Sequence, residues 1–293
     1  MGNRFGPLRL PFLILTPACC ALGYAMAVLD GVRPQLFDVA LVLIGALSAH
    51  ISVNALNEYE DFQSGLDFRT EPTPFSGGSG TLPMHPELSG YTFIVGIAAL
   101  VITLLVGSYF LWDRGVVILP FGFLGVVIIA TYTRYLTRRP WLCLIAAGLA
   151  FGPLMVGGTY VALTGQLTAQ VMLISLIPFF LVNNLLLLNQ YPDLVADASI
   201  GRRNLPIVYG LHRANLVYLV SVVATLVVVY ILSRSISFTL LGYLGMALLL
   251  PLLPKLFRHE HDPRGLVPYL GLNVAVSILT PVLISLGILI QAG

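Results

Sequence analysis

Nine long apolar runs, separated by short charged or Gly/Pro-rich segments, constrain the fold of this chain more than any other feature. Charged residues make up 10% of the 293 residues, whereas a soluble domain carries about 25%. Such a chain cannot cover its surface with polar groups, so lipid must surround it. Backbone polar groups have no partners in lipid, so each run is predicted to be a transmembrane helix of about 20 residues. The predicted spans are 9–29, 36–57, 90–111, 115–136, 140–163, 170–191, 212–232, 236–256 and 266–291.

No long polar linker interrupts this pattern, which predicts one all-α, polytopic membrane domain over residues 1–293. With a cytoplasmic N-terminus, twelve of the fifteen Lys and Arg residues fall in inside segments, and only Arg33, Arg114 and Arg234 fall outside. Positive residues concentrate on the cytoplasmic side of membrane proteins. We therefore expect the cell (inner) membrane, a cytoplasmic N-terminus, an external C-terminus and two cytoplasmic cap loops, at about 62–89 and 192–210.

The two cap loops follow helix ends that repeat one another. Residues 57–61 read Asn-Glu-Tyr-Glu-Asp, and residues 189–193 read Asn-Gln-Tyr-Pro-Asp. Asn57 and Asp61 are four residues apart, so they share a helix face, as do Asn189, Asp193 and Asp197, which extends the second strip beyond the repeat. Each repeat therefore offers a strip of oxygen ligands on the same side of the membrane.

Clustered carboxylates repel one another, and burying one ionised group is costly. A hard divalent cation removes both penalties. Mg²⁺ prefers oxygen ligands, and it is usually held by one or two carboxylates together with substrate phosphate. Two acidic strips with arginines nearby predict a site for a Mg²⁺-bound diphosphate, in which Arg69, Arg202 and Arg203 are candidates to grip phosphate oxygens.

Three segments resemble one known family. Residues 54–67 read Asn-Ala-Leu-Asn-Glu-Tyr-Glu-Asp-Phe-Gln-Ser-Gly-Leu-Asp and look like the first aspartate-rich motif of the UbiA superfamily of intramembrane prenyltransferases. Residues 193–206, Asp-Leu-Val-Ala-Asp followed by Ala-Ser-Ile-Gly-Arg-Arg-Asn-Leu-Pro, match the second motif. Residues 151–165, together with the form of the first motif, are similar to the 1,4-dihydroxy-2-naphthoate prenyltransferase branch. The resemblance covers nearly the whole chain and implies the helical bundle of that family.

The resemblance also implies a mechanism and a set of site residues. An isoprenyl diphosphate would bind through Mg²⁺ between the motifs, ionise, and alkylate an aromatic acceptor in quinone (menaquinone) biosynthesis. The implied metal ligands are Asn57, Glu58, Asp61, Asp67, Asn189, Asp193 and Asp197, of which Asp61 and Asp193 are expected to be catalytic. The implied substrate-binding residues are Asn54, Arg9, Tyr132, Arg69, Arg202 and Arg203. Topogenic charge is the alternative for the arginines, and an interfacial aromatic belt is the alternative for Tyr132.

Two departures from the branch leave the acceptor open. Glu58 stands where the family usually has Asp, and residues 137–141 read Thr-Arg-Arg-Pro-Trp in place of a Tyr-Arg-Gly-Leu-Gly-Glu-like stretch. The alternative acceptors are 4-hydroxybenzoate, homogentisate, a tetrapyrrole or a glycerol lipid. A secondary transporter is the remote alternative, and it is disfavoured because the acidic residues cluster at one membrane face. Neither a nucleic acid nor an obligate protein partner is expected.

Overall fold

The computed structural model describes residues 4–71, 73 and 76–293, and all regular structure in this part of the chain is helical. Eight of its apolar helices are long enough to cross a membrane, which makes the chain an integral membrane protein, and α4 alone among those named here is shorter. In chain order the apolar helices are α1 (Gly6–Leu29), α2 (Leu36–Gln63), α3 (Pro86–Arg114), α4 (Val116–Thr131), α5 (Pro140–Thr164), α6 (Ala169–Asn189), α7 (Leu205–Ser233), α8 (Ser237–Arg258) and α9 (Pro263–Ala292). The predicted all-α membrane fold is confirmed, with eight helices of spanning length rather than nine.

Helix α4 ends at Thr131, five residues before the predicted end of its span at 136. A turn follows, in which the Thr137 N–H donates to the Tyr132 carbonyl oxygen at 3.0 Å. Pro140 begins α5, and a proline disfavours the helical conformation in the residue before it. The polar run between these residues therefore forms a turn instead of continuing the span.

Glycines let α5 approach α6 closely. A Cβ added at Gly148 would lie 2.3 Å from Asn183 Oδ1, and one added at Gly152 would lie 2.4 Å from the Ser175 carbonyl oxygen. The two glycines are four residues apart and so share a helix face. The Gly148 N–H donates to Asn183 Oδ1 at 2.8 Å. Small residues at this spacing bring membrane helices together by van der Waals packing, because lipid provides no hydrophobic drive.

The middle of α5 is a π-helix from Ala150 to Gly157, with Pro153 inside it. Proline cannot donate the i→i−4 hydrogen bond, and its ring clashes with the preceding turn, so an α-helix is interrupted there. Short π segments in helices often mark functional sites. This one belongs to the 151–165 segment of the sequence and lies against α6 and α1.

Buried polar side chains fasten α6 to α7 and α9. Asn184 Nδ2 donates to the Tyr218 carbonyl oxygen, the Tyr218 hydroxyl donates to Asn273 Oδ1, and Asn273 Nδ2 donates to the Asn184 carbonyl oxygen. Beyond the end of α6, the Tyr191 hydroxyl donates to Asn215 Oδ1 at 2.7 Å. Each bond pairs a buried polar group that neither lipid nor apolar side chains could satisfy. Together these bonds hold the end of α6, and with it the segment that precedes Asp193, against α7 and α9.

Candidate functional site

The two acidic repeats meet at one end of the bundle, where α2 and α6 end, here called the motif end. Arg202 joins them. Its guanidinium donates to Asp61 of the first repeat and, at 2.9 Å, to Asp197 of the second. Asn204 Nδ2 donates to the other oxygen of Asp197 at 3.0 Å. A forked guanidinium between two carboxylates fixes both in charge-assisted hydrogen bonds.

Around this pair lies a polar cavity of about 130 Å³. Its walls include Asn57, Asp61 and Asp67 from the first repeat and its loop, and Asn189, Asp193, Asp197 and Arg202 from the second. Asp61, Asp67 and Asp197 are each less than a tenth exposed. The sequence-predicted ligand strips therefore face one space, and they do so from opposite sides.

Burial shapes the protonation of the groups beyond the helix ends. It raises the pKa of Asp67 to about 8, helped by Glu58 and Asp61, and raises the pKa of Asp193 to about 6, helped by Asp197. Burial also raises the pKa of Asp197, although Arg202 opposes the shift. For Arg202, burial acts to lower the pKa, but Asp61 and Asp197 together raise it. The carboxylates are thus short of positive charge, and Arg202 alone does not neutralise them.

An apolar cavity of about 390 Å³ begins where the polar cavity ends. It lies between α1, α2, α3, α4, α5 and α6. Along α4 and the residue that follows it, the lining extends from Ile118 to Tyr132, about 21 Å at the rise of a helix. Five residues line both cavities and form their common wall, namely Arg9, Asn57, Tyr132, Leu186 and Asn189. A polar, acidic cavity therefore adjoins an elongated apolar cavity, here also called the apolar channel.

Residues 76–80, here called the glycine strap, connect the two repeats above the polar cavity. The Gly77 N–H donates to Asp193 Oδ2 at 2.8 Å, and the Ser79 N–H donates to Glu58 Oε1 at 2.8 Å. Gly77 and Gly78 both have positive φ, a conformation that glycine adopts without steric cost. Ser76, Gly77 and Gly78 line the polar cavity.

Some predicted residues lie elsewhere. Arg69 donates to the carbonyl and hydroxyl oxygens of Ser199 and lines neither cavity. Arg203 also lines neither, and its backbone N–H donates to the Thr137 carbonyl oxygen. Glu58 is buried but is held by Arg9 and Ser79 outside both cavities. Asn54, Arg9 and Tyr132 do line the apolar cavity, so the predicted substrate contacts separate into cavity and non-cavity groups.

The sequence interpretation missed His50 and Asn204. His50 lines the apolar cavity and shares a hydrogen bond with the Thr16 hydroxyl at 2.8 Å. The spacing of His50, Asn54 and Asn57 marks one helix face and could have revealed it. Asn204 Oδ1 accepts from the Ile207 N–H and caps α7. Its place before Leu205-Pro206 is a recognisable N-cap signal.

Two buried oxygens test whether a cation fits here. The side chains of Asp67 and Asn189 line the polar cavity, and Asp67 Oδ2 and Asn189 Oδ1 are buried with no hydrogen-bond partner in the described part of the chain. Oxygens of this kind are ligands that Mg²⁺ prefers. Within residues 4–71, 73 and 76–293, no three His, Cys, Asp or Glu side chains are close enough to hold an ion by themselves. The donor set thus fits a cation that completes its coordination with substrate phosphate and water.

Known proteins share this architecture. A 1,4-dihydroxy-2-naphthoate octaprenyltransferase from Haemophilus influenzae is 28% identical over 282 residues, covering 92% of this chain and 89% of that protein. A UbiA homologue from Archaeoglobus fulgidus, solved with DMAPP and Mg²⁺, superposes with a TM-score of 0.59 at 17% identity, covering 97% and 99% of the two chains. A UbiA homologue from Aeropyrum pernix, solved in its apo form, superposes with a TM-score of 0.69 at 15% identity, covering 95% and 97%.

The family comparison covers most of the chain. The UbiA prenyltransferase family pattern matches residues 15–274, a range that includes both acidic repeats, the π segment and all cavity-lining helices except the start of α1. Together with the named octaprenyltransferase relative, this match makes the protein an enzyme that transfers prenyl groups. The chain belongs to the UbiA prenyltransferase family.

Proposed function

We propose that this enzyme transfers an isoprenyl group from an isoprenyl diphosphate to 1,4-dihydroxy-2-naphthoate or a closely similar aromatic acceptor, with Mg²⁺ as its cofactor. The observation that carries the proposal is the common wall of the two cavities. A donor has a highly charged diphosphate joined to an apolar chain, and the polar and apolar cavities accept these two parts on either side of Asn57 and Tyr132.

Residues of the polar cavity would hold the diphosphate and its cation. Asp61, Asp67, Asn189 and Asp193 would supply cation ligands, together with Asn57 and Asp197. The bound cation would neutralise charge on the departing diphosphate. Arg202 and Arg9, which both line this cavity, would donate hydrogen bonds to phosphate oxygens as negative charge develops on them.

Residues of the apolar cavity would protect the reacting carbon. Breaking the allylic C–O bond leaves a carbocation that water would quench. The channel that begins at Tyr132 is lined mainly by aliphatic and aromatic side chains, among them Phe12, Phe110 and Phe151. It would solvate the prenyl chain and exclude water while the acceptor ring attacks.

The acceptor assignment is supported by the naphthoate octaprenyltransferase relative and by Arg9. Arg9 lies in the common wall of the two cavities, so its guanidinium would pair with a carboxylate on an acceptor bound at that wall. The positive-inside pattern further supports a cytoplasmic motif end and N-terminus, and an external C-terminus, in the cell (inner) membrane. A single domain over 1–293 is part of the same proposal.

The test is prenyl transfer by purified protein in nanodiscs. Radiolabelled dimethylallyl, geranyl, farnesyl and longer diphosphates are offered with 1,4-dihydroxy-2-naphthoate, 4-hydroxybenzoate, homogentisate, a tetrapyrrole or a glycerol lipid, with Mg²⁺ or EDTA. We expect naphthoate product only with Mg²⁺, and none from Asp61→Ala or Asp193→Ala. Glu71→Ala is the matched control, because Glu71 is largely exposed in the first cap loop and pairs with Arg264. Product from another acceptor alone, or undiminished activity in both cavity variants, would overturn the proposal.

A further inference from the structure

Glu58 is the one acidic residue of the first repeat that is completely buried and yet lines neither cavity. Its side chain has no exposed surface, and its neighbours Asn57 and Asp61 line the polar cavity. A buried carboxylate is costly unless hydrogen bonds compensate it. Glu58 has three such bonds, and all of them come from segments outside α2.

The donors to Glu58 belong to two segments that are distant in sequence. Oε1 accepts from Arg9 Nε at 2.9 Å and from the Ser79 N–H at 2.8 Å, while Oε2 accepts from the Ser79 hydroxyl at 2.9 Å. The Ser79 hydroxyl in turn accepts from the Thr81 N–H. The carboxylate thus ties the start of α1 and the glycine strap to α2 at one point.

Both tied segments contribute to the cavities. Arg9 is held in a left-handed conformation with φ of 51°, and it lines the common wall of the two cavities. Because Arg9 donates to Glu58 through Nε, its two terminal nitrogens stay available to donate hydrogen bonds at the common wall. The strap places Gly77 and Gly78 in the polar cavity, and a Cβ at Gly78 would come within 3.0 Å of Asp67 Oδ1.

We propose that Glu58 is a positioning residue, and not a metal ligand, which holds Arg9 and the glycine strap in place for the diphosphate of the donor. The inference rests on the proposed function. On this proposal, binding of the prenyl donor's phosphate oxygens depends on Glu58, whereas binding of the cation does not. Removing the charge of Glu58 should loosen the strap and weaken donor binding, while the cation ligand Asp61, which is held by Arg202 and not by the strap, stays in place.

The test compares Glu58→Gln and Ser79→Ala with Asp61→Asn as the ligand variant. Glu60→Gln is the matched control, because Glu60 lies in the same turn of α2, lines neither cavity and pairs with the exposed Arg134. Hydrogen–deuterium exchange of the strap is measured on the metal-free protein in nanodiscs. Mn²⁺ binding is measured by electron paramagnetic resonance at a concentration of inorganic pyrophosphate that saturates each variant, and KM and kcat are measured with geranyl diphosphate.

Glu58→Gln and Ser79→Ala are both expected to speed strap exchange, by about tenfold for Glu58→Gln, because charge-assisted bonds are lost. KM for geranyl diphosphate should rise about tenfold in Glu58→Gln, with kcat changed by less than about threefold. Mn²⁺ affinity should stay within about twofold of wild type, whereas Asp61→Asn should lower it by at least about tenfold. Glu60→Gln should change none of these quantities.

A loss of Mn²⁺ affinity in Glu58→Gln equal to that in Asp61→Asn would make Glu58 a ligand and overturn the proposal. Unchanged strap exchange in Ser79→Ala and Glu58→Gln would overturn it as well. Ser79→Ala leaves α2 intact, so it decides the question even if Glu58→Gln does not fold. A wild-type protein that binds no Mn²⁺ with pyrophosphate would instead contradict the proposed function, while the exchange measurement would still report on the anchor.

Discussion

Arg202 donates hydrogen bonds to Asp61 and to Asp197, and it thereby joins the end of α2 to the loop that follows α6. One carboxylate ends the first repeat and the other lies in the loop after the second, 136 residues further along the chain. Arg202 is largely buried, so its fork has little competition from water. The pair of bonds therefore determines how far apart the two acidic strips lie.

Replacing Arg202 by Lys should reduce kcat/KM by about 100-fold, because a lysine cannot bridge both carboxylates and leaves one of them buried without its partner, a loss of roughly 3 kcal/mol. Steady-state kinetics in nanodiscs measures this loss. Arg203→Lys is the matched control, since Arg203 lines neither cavity, and its activity should stay within about twofold. Equal losses in the two variants would show that positive charge, and not the fork, is what matters.

Proton competition should make cation binding dependent on pH. Burial raises the pKa of Asp67 to about 8 and that of Asp193 to about 6, and cation ligands must be deprotonated. The Mn²⁺ concentration for half-saturation should therefore rise as the pH falls from 8.5 through 6. The variant Asp67→Asn should weaken binding at pH 8.5 and flatten the upper part of the curve. An affinity that does not change over this range would contradict the assignment of Asp67 and Asp193 as ligands.

The stability of the metal-free protein should change with pH in the opposite sense. Between about pH 4 and 8 the folded state holds protons on Asp67 and Asp193 that the unfolded chain releases, so the free energy of unfolding falls as the pH rises. Thermal unfolding in EDTA should show a lower midpoint at pH 8 than at pH 6. Saturating Mg²⁺ should raise the midpoint most at pH 8, where the carboxylates are charged.

Filling the apolar cavity should shorten the donors that the enzyme accepts. Gly125 lines this cavity, and a Cβ built there meets no described atom within 4 Å. Gly125→Phe should lower kcat/KM for donors of about four or more isoprene units by about tenfold or more, while dimethylallyl diphosphate is less affected. Leu124→Phe is the control, because Leu124 is exposed on the same helix and does not line the cavity. Equal effects on short and long donors would contradict the channel assignment.

The close contact of α5 with α6 should tolerate no added side chain. A Cβ at Gly148 would clash with Asn183 and with the Phe179 backbone, so Gly148→Leu should destabilise the protein by more than about 3 kcal/mol. Thermal unfolding, or the yield of folded protein in detergent, measures the effect. Gly90→Leu, on α3, is the control because no described atom lies within 4 Å of its Cβ position. A stable Gly148→Leu protein would show that the two helices can separate.

The sequence was sufficient to predict what depends on local pattern. Lipid must surround the long apolar runs, so the helical fold followed from composition and run length. The meeting of Asp61 and Asp193 followed from their equivalent positions at the ends of the second and sixth predicted spans, which are expected to cross the membrane in the same direction. Their lining of one polar cavity agrees with that expectation.

What could not be predicted depends on contacts between distant segments. Nothing local shows that Glu58 turns to Ser79 and Arg9, because those contacts depend on how the cap loop and the start of α1 fold back over α2. Likewise, Arg69 and Arg202 each lie in one of the two cap loops, yet Arg69 contacts Ser199 on the surface and Arg202 joins the two acidic strips. Such differences are set by tertiary structure alone.

The π segment of α5 rotates the second half of that helix about its axis, relative to the orientation that a continuous α-helix would give it. Each residue in a π-helix advances the chain through a smaller angle than in an α-helix, so the faces before Ala150 and after Gly157 are out of phase. Ala146 and Ala147 before the offset, and Gly158, Thr159 and Ala162 after it, all line the apolar cavity. Deleting one residue from the segment would restore α-helical phase and turn one of these groups by about 100°, away from the channel. The length of this segment therefore sets the rotation at which both halves of α5 face the apolar cavity.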